Sequence, residues 1–208
     1  MILYLHGFAS GPASRKARYF QERLAARGID LLVPAMDEGD FRGLTVTGQL
    51  QLLERLTGGR PVTLIGSSMG GYIAALYASR HPETEKLVLL APAFGFTHRW
   101  SESLGEAAVR QWQTSGALLV HHYAAGEMRE VGYQLIEDGQ RYEDYPDFRQ
   151  PALILHGSRD DVVPLAYSEQ FTATHPNAGL KVLDSNHELT NVLEEAWKEA
   201  ERFLFACR

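Results

Sequence analysis

Residues 66–71, with the sequence Gly-Ser-Ser-Met-Gly-Gly, surround a serine with small side chains in the pattern G-x-S-x-G. An apolar run at 62–65 precedes this segment and an alanine-rich run follows it, which predicts a strand, a very tight turn and a helix. Such a turn exposes a serine hydroxyl at its apex, and only small neighbours let the strand and the helix approach closely. With Ser68 at the apex the flanking positions are glycines, whereas with Ser67 they are an isoleucine and a methionine. The spacing therefore selects Ser68 as the candidate nucleophile.

A serine nucleophile works with a general base, an acid that orients the base, and N–H donors for the oxyanion of the substrate. Three further segments supply candidates for these parts: His6-Gly7-Phe8, residues 156–164 and Ser185-Asn186-His187. Each of them follows a short apolar run and is therefore expected at the end of a strand. We interpret His187 as the base, and a solvent-exposed loop histidine is the alternative.

The other histidines are weaker candidates for the base. His156 ends a predicted strand beside Gly157, which favours a structural hydrogen-bonding role. His81 and His175 each precede a proline at a predicted helix end, which indicates exposed positions. For the pair His121-His122, a satisfied surface position is favoured over contact with a substrate.

His6-Gly7-Phe8, residues 66–71, residues 156–164 and Ser185-Asn186-His187 together resemble the α/β-hydrolase superfamily, and most closely its short bacterial esterases and thioesterases. The resemblance extends over nearly the whole chain and is specific for fold and catalytic machinery, but not for substrate. It implies the chain order serine, acid, histidine. It also implies a sheet order of 2-1-3-4-5-6 when the sheet strands are numbered along the chain. The two leading strands of larger members are missing, and the segment inserted after the fourth strand does not indicate a particular substrate class.

The resemblance also implies where the remaining parts of the site lie. It places the acid in the loop that leaves the fifth strand, where we prefer Asp160 to Asp161. Asp161 is the weaker candidate because it is also placed to cap a helix entered at Pro164. The implied oxyanion donors are the backbone N–H groups of Met69 and Phe8. For His6-Gly7 the alternative interpretation is an ordinary glycine that ends the first strand.

Predicted strands and helices alternate along the chain. This alternation predicts a parallel sheet with helices on both faces and right-handed crossovers. We therefore expect one α/β-hydrolase domain over residues 1–208 with a six-stranded, mostly parallel sheet. The predicted strands lie at 2–5, 31–33, 62–65, 86–93, 152–155 and 180–183, and the predicted helices lie around 17–24, 46–57, 72–78, 164–174 and 193–204.

One segment, at about 94–150, interrupts the alternation. At roughly 55 residues it is far longer than an ordinary connection, and its many aromatic residues argue against disorder. We predict a helix at 102–113 and two strands, 118–120 and 133–136, around a turn at 124–126. We interpret the segment as a cap over the ends of the strands. Trp100, Trp112 and Tyr123 are its candidate substrate-binding residues, with packing inside the cap as the alternative.

Composition narrows the class of protein. The 208 residues are 45% hydrophobic, which suits one domain with a substantial core. The net charge of -6 argues against a nucleic-acid partner. The single cysteine, Cys207, excludes a disulfide within the chain, and no nucleophile motif surrounds it. No signal peptide, no apolar run long enough for a membrane span and no metal or cofactor motif is found, so we expect a cytoplasmic protein without a cofactor.

These patterns predict a serine hydrolase that cleaves a carboxylic ester or thioester of a small to medium acyl group through an acyl-enzyme. A small-molecule substrate is the expected partner. Two alternatives stay open. One is a ligand-binding protein of the same fold that has lost catalysis, and the other is a peptidase or lactonase with the same three residues.

Overall fold

A computed structural model describes residues 1–206, so the prediction for Cys207 lies outside the described residues. In chain order the elements are β1 (Ile2–Leu5), α1 (Arg15–Ala25), β2 (Leu31–Leu32), α2 (Val46–Thr57), β3 (Val62–Ser67), α3 (Met69–Arg80), β4 (Thr84–Leu90), α4 (Phe96–Leu104), α5 (Glu106–Ser115), β5 (Ala117–His122), β6 (Glu127–Gly132), α6 (Gln134–Gly139), β7 (Ala152–Gly157), α7 (Ala166–Thr174), β8 (Ala178–Leu183) and α8 (Leu193–Phe205). No helix within residues 1–206 is long and apolar enough to cross a membrane.

Six strands form the main sheet, in the order β2-β1-β3-β4-β7-β8. Every neighbouring pair in this sheet is parallel. The order is the predicted 2-1-3-4-5-6 once β5 and β6, which pair only with each other, are left out of the numbering. The fold class predicted from the sequence is therefore confirmed.

Side chains along the central strands point alternately to the two faces of the sheet, which divides the core into two layers. Leu64 of β3 belongs to the layer shared with α2 and α3, whereas the next residue, Ile65, belongs to the layer under α1 and α8. Successive side chains of a strand point to opposite faces, so a strand covered on both sides is apolar throughout. On the second face Phe20 of α1 meets Trp197 of α8 edge to face, with ring centroids 5.6 Å apart.

The segment between β4 and β7 differs from its prediction in two places. The helix expected at 102–113 is present but divided in two, because Gly105, with φ at 76°, separates α4 from α5. The strand expected at 133–136 is wrong, because those residues lie at the start of α6. The second hairpin strand is instead β6, which directly follows the predicted turn at 124–126.

Packing explains the second error. Four of the six residues of β6 are exposed, since this strand pairs with β5 through its backbone at the surface and has no apolar alternation. Leu135 and Ile136 are apolar because α6 buries them. Asp138 of α6 accepts hydrogen bonds from the backbone N–H and the hydroxyl of Thr47, both at 2.7 Å, which ties α6 to α2.

Candidate active site

Ser68 lies alone between the end of β3 at Ser67 and the start of α3 at Met69. Its backbone has φ 53° and ψ −119°, a left-handed conformation that is strained for a residue with a side chain. Backbone hydrogen bonds hold it there: its N–H donates to Leu90 at 2.8 Å, and its carbonyl accepts from Ala93 at 3.0 Å. Ser68 is partly exposed, whereas Ser67 is buried. The serine chosen from the spacing is thus the partly exposed one of the two.

The glycines around Ser68 are required by close backbone approaches. A methyl group added at Gly66 would overlap the carbonyl of Gly70, and one added at Gly70 would overlap the carbonyl of Leu5. At Gly71 an added Cβ would lie 3.1 Å from Cβ of Pro92. The G-x-S-x-G-G pattern therefore reflects the packing of the first turn of α3 against β1 and β3.

Two loops bring His187 and Asp160 to Ser68. His187 follows β8, and its Nε2 lies 3.0 Å from Oγ of Ser68. Its Nδ1 lies 2.7 Å from Oδ2 of Asp160, which follows β7. Since a carboxylate oxygen only accepts, Nδ1 carries the hydrogen and Nε2 accepts from the serine hydroxyl. The three side chains thus form a continuous relay of hydrogen bonds in which the imidazole can take the serine proton.

The carboxylate of Asp160 is fully buried, but both of its oxygens accept hydrogen bonds. Oδ1 accepts hydrogen bonds from the backbone N–H groups of Val162 and Val163, at 3.0 and 2.7 Å. Oδ2 accepts from His187 and lies 3.1 Å from Nε2 of His156. Burial by itself raises the pKa of Asp160, but the N–H groups of His156, His187 and Val163 outweigh it and hold that pKa well below its usual range. The carboxylate is therefore ionised and able to accept the hydrogen bond that orients His187.

The neighbouring residues have different roles from Asp160. Asp161 is exposed, and α7 begins without a side-chain cap, so the capping role considered for Asp161 is wrong. The structural role predicted for His156 is confirmed, since its Nδ1 lies 2.8 Å from the hydroxyl of Ser168 and its Nε2 lies 2.8 Å from the carbonyl of Val163.

The loop after β1 lies directly against Ser68. A Cβ added at Gly7 would be 3.3 Å from Cβ of Ser68, so a side chain at this position would crowd the hydroxyl. His6 holds the loop in place: its Nδ1 donates to the carbonyl of Gly7 at 3.0 Å, and its Nε2 accepts from the N–H of Met36 at 3.1 Å. Burial lowers the pKa of His6, which favours this neutral form of the ring.

Phe8 and Met69 line one small pocket beside this loop. Neither of their backbone N–H groups donates a hydrogen bond to another group within residues 1–206, so both are free to bind an acceptor. The ring of Phe8 packs on Phe41 with centroids 5.3 Å apart and on Trp100 at 4.8 Å. The side of the pocket next to the donors is therefore aromatic.

None of the three aromatic residues predicted to bind substrate lines this pocket, but Trp100 packs on Phe8, which does line it. Trp112 is 1% exposed, and its indole N–H donates to a backbone carbonyl of β6 at 3.0 Å. It forms the core of the inserted segment, so the prediction that it lines the cleft is wrong. Tyr123 is 72% exposed at the end of the hairpin and packs on His121.

The pair His121-His122 is divided by the hairpin. His121 is exposed, but His122 is buried and packs edge to face on Phe41 at 4.6 Å, so the predicted surface pair is wrong for His122. Its Nδ1 accepts from the N–H of Ala125 at 3.2 Å, while its Nε2 has no partner among the described residues. Burial lowers the pKa of His122. Alternation along β5 is the signal that separates the two histidines.

Comparison with known proteins agrees with this architecture. The model of the uncharacterised protein family UPF0227 matches residues 1–204. The chain belongs to this family. A search of curated proteins gave no match for this UPF0227 chain. The chain is similar to the structure of α/β hydrolase domain-containing protein 10 from mouse, with a TM-score of 0.81 at 17% identity over 98% of this chain and 88% of that chain.

Two further solved structures are similar over almost the whole chain. Est1E from Butyrivibrio proteoclasticus with bound ferulic acid has a TM-score of 0.74 at 20% identity, over 98% of this chain and 87% of that chain. Monoacylglycerol lipase from Paleococcus ferrophilus has a TM-score of 0.75 at 16% identity, over 98% of this chain and 93% of that chain. These likenesses show that the UPF0227 chain has the α/β-hydrolase fold.

Proposed function

We propose that this protein is a serine hydrolase that cleaves a carboxylic ester or thioester of a small to medium acyl group through an acyl-enzyme. The observation that carries the proposal is the relay from Ser68 to His187 to Asp160, with distances of 3.0 and 2.7 Å. In this proposal Ser68 is the nucleophile, His187 the general base and acid, and Asp160 the orienting carboxylate.

In the acylation step, Oγ of Ser68 forms a bond to the carbonyl carbon of the substrate while Nε2 of His187 takes the hydroxyl proton. The π electrons of the carbonyl move to its oxygen, which accepts hydrogen bonds from the N–H groups of Phe8 and Met69. The oxyanion then collapses and the bond to the leaving oxygen or sulfur breaks. The leaving group receives the proton from His187 and departs as an alcohol or a thiol.

In the deacylation step, water takes the place of the leaving group. His187 removes a proton from the water as its oxygen attacks the acyl carbon, and the same proton returns to Oγ of Ser68 when the acid departs. Asp160 stays ionised throughout and stabilises the imidazolium in both steps. Its low pKa supports this role.

The surroundings of the relay support an apolar acyl group of limited length. Phe8 and Phe41 line the pocket beside the donors, and Trp100 packs on Phe8. We further propose that residues 94–150 form a cap within a single hydrolase domain. A Cβ added at Gly11 would lie 3.0 Å from Cβ of Ala124, so the hairpin end reaches the loop after β1. Two neighbours in fold, Est1E with ferulic acid and a monoacylglycerol lipase, agree with an ester substrate.

Active-site labelling with a fluorophosphonate tests the proposal, because this reagent reacts only with an activated serine. We expect one adduct, located on Ser68 by peptide mass spectrometry. The matched control is Ser67→Ala, which changes the adjacent buried serine and should keep labelling, whereas Ser68→Ala should lose it. A protein that binds ligands without catalysis would not be labelled, and that result would contradict the proposal.

A hydrolysis screen with p-nitrophenyl esters and acyl-CoAs of increasing chain length then separates the bond types. We expect turnover that is highest for short and medium acyl chains and is absent in Ser68→Ala. Hydrolysis of peptides or lactones without hydrolysis of these compounds would retain the mechanism but reject the substrate class.

A further inference from the structure

His156 and His187 both approach the same oxygen of Asp160. Nε2 of His156 lies 3.1 Å from Oδ2, which already accepts the hydrogen bond from Nδ1 of His187 at 2.7 Å. The side chains of His156 and Asp160 are both completely buried. We propose that His156 is a positioning residue, which holds the acid loop and adjusts the hydrogen bond between Asp160 and His187. This inference rests on the proposed function of the site.

The hydrogen-bond partners determine the form of the His156 ring. Nε2 lies 2.8 Å from the carbonyl oxygen of Val163, which only accepts, so Nε2 carries a hydrogen. Nδ1 lies 2.8 Å from the hydroxyl of Ser168, which is able to donate to it. The Nε2–H bond points mainly at Val163, and its positive end also faces Oδ2 of Asp160.

These contacts close a ring around the acid. His156 Nε2 binds the carbonyl of Val163, and the N–H of Val163 binds Oδ1 of Asp160 at 2.7 Å. Ser168 of α7 anchors the opposite side of the imidazole. The link from Nε2 through Val163 to Oδ1 keeps Oδ2 at the distance that His187 requires, and such pre-organisation is worth orders of magnitude in rate. The N–H of His156 also withdraws part of the negative charge from the bond to His187.

Other charged groups surround the same carboxylate. Burial lowers the pKa of Lys16 on α1 to about 8, and the carboxylates of Glu188 and Asp160 oppose this shift. Burial also lowers the pKa of Arg99 on α4, whose guanidinium donates to the carbonyl of Val162 at 2.6 Å. These groups are unchanged in variants of His156, so a difference between two such variants reports the N–H group that position 156 presents to Val163 and Asp160.

Two amide side chains of different length test the inference. His156→Gln carries its amide N–H near the position of Nε2, within reach of Val163 and Asp160. His156→Asn is one methylene shorter and reaches only Ser168. Ser168→Ala is the matched control, because it removes a buried hydrogen bond of the same ring and leaves Nε2–H facing the acid.

Steady-state kinetics with a p-nitrophenyl ester are the first measurement. We expect kcat to fall about 10- to 100-fold in His156→Asn with little change in KM. His156→Gln should recover most of this loss, and Ser168→Ala should stay within about threefold of the parent while unfolding more easily. The acid limb of the kcat/KM profile should move to higher pH in His156→Asn alone, because a carboxylate with one N–H neighbour fewer stabilises the imidazolium more strongly.

The downfield proton NMR signal of the bond between Asp160 and His187 is the second measurement, and it does not depend on turnover. It should move in His156→Asn and stay in place in His156→Gln and Ser168→Ala. Equal effects of the asparagine and glutamine variants would overturn the inference, because only a structural role would then remain. If the parent protein hydrolysed no ester but the signal moved as expected, the proposed function would fail and the positioning role would stand.

Discussion

Replacing Asp160 by asparagine removes the charge of the proposed acid while it retains the size of the side chain. The two oxygens of Asp160 face four N–H groups, two from the backbone at Oδ1 and two from imidazoles at Oδ2. An amide has one oxygen and one NH₂ group, so its NH₂ must meet N–H donors in either orientation. The backbone donors at Oδ1 cannot be reversed, and the amide oxygen will therefore occupy that side.

The NH₂ group then faces Nδ1 of His187, which forces the hydrogen of that ring onto Nε2. In this tautomer Nε2 donates to Ser68 and is unable to take its proton. Loss of the correct tautomer costs about 10⁴-fold in kcat, or ~5 kcal/mol of transition-state stabilisation. The N–H of His156 keeps the carbonyl of Val163 as its partner, but the charge-assisted hydrogen bonds to the acid become neutral ones, which should lower the free energy of unfolding by about 1–3 kcal/mol.

The assay is kcat/KM for a p-nitrophenyl ester, together with urea unfolding of the same preparations. Asp161→Asn is the matched control, since it makes the same charge change at the next residue, which is exposed. We expect this control to stay within about twofold of the parent in rate and within ~0.5 kcal/mol in stability. An Asp160→Asn protein within tenfold of the parent rate, or a crippled Asp161→Asn protein, would refute the assignment of the acid.

Three further outcomes are expected from the packing. Gly66→Ala should prevent folding, seen by circular dichroism, because its methyl group overlaps backbone atoms of α3, whereas Gly179→Ala, with open space around it, should fold normally. Trp112→Ala should lower the free energy of unfolding by about 3–5 kcal/mol, whereas Trp100→Ala should mainly move the preferred acyl length in the ester screen; the reverse pattern would contradict the assignment of the pocket. Because burial lowers the pKa of His122 from 6.5, stability should be retained above that pH and lost as the pH falls through the folded-state value, and His122→Phe should reduce this slope in thermal unfolding; an unchanged slope would argue against its burial.

The chain by itself determined the parts of this protein that depend on local constraints. Continuous apolar runs identify strands buried on both faces, and their alternation with helices determines the order of the main sheet. The place of Ser68 at the apex of the turn is predictable because the tight turn tolerates only glycine at its flanks, a steric requirement visible in a few consecutive residues. The proximity of His187 and the loop of Asp160 to Ser68 is predictable because the strands before them end at one edge of the sheet.

Tertiary structure alone decided the features that depend on distant partners. Asp160 and Asp161 are adjacent carboxylates of the same chemistry, and only the fold of the loop directs one of them to His187 and exposes the other. In the inserted segment, the sequence does not predict β6, because this strand pairs through its backbone at the surface. It wrongly predicts a strand around Leu135, because this residue is apolar through its burial in α6. A tryptophan in this segment is equally compatible with a buried core and with a binding cleft, so residue type alone does not distinguish Trp100 from Trp112. Hydrophobic periodicity in the sequence indicates which side chains are buried. Which residues they contact depends on packing between segments far apart in the chain.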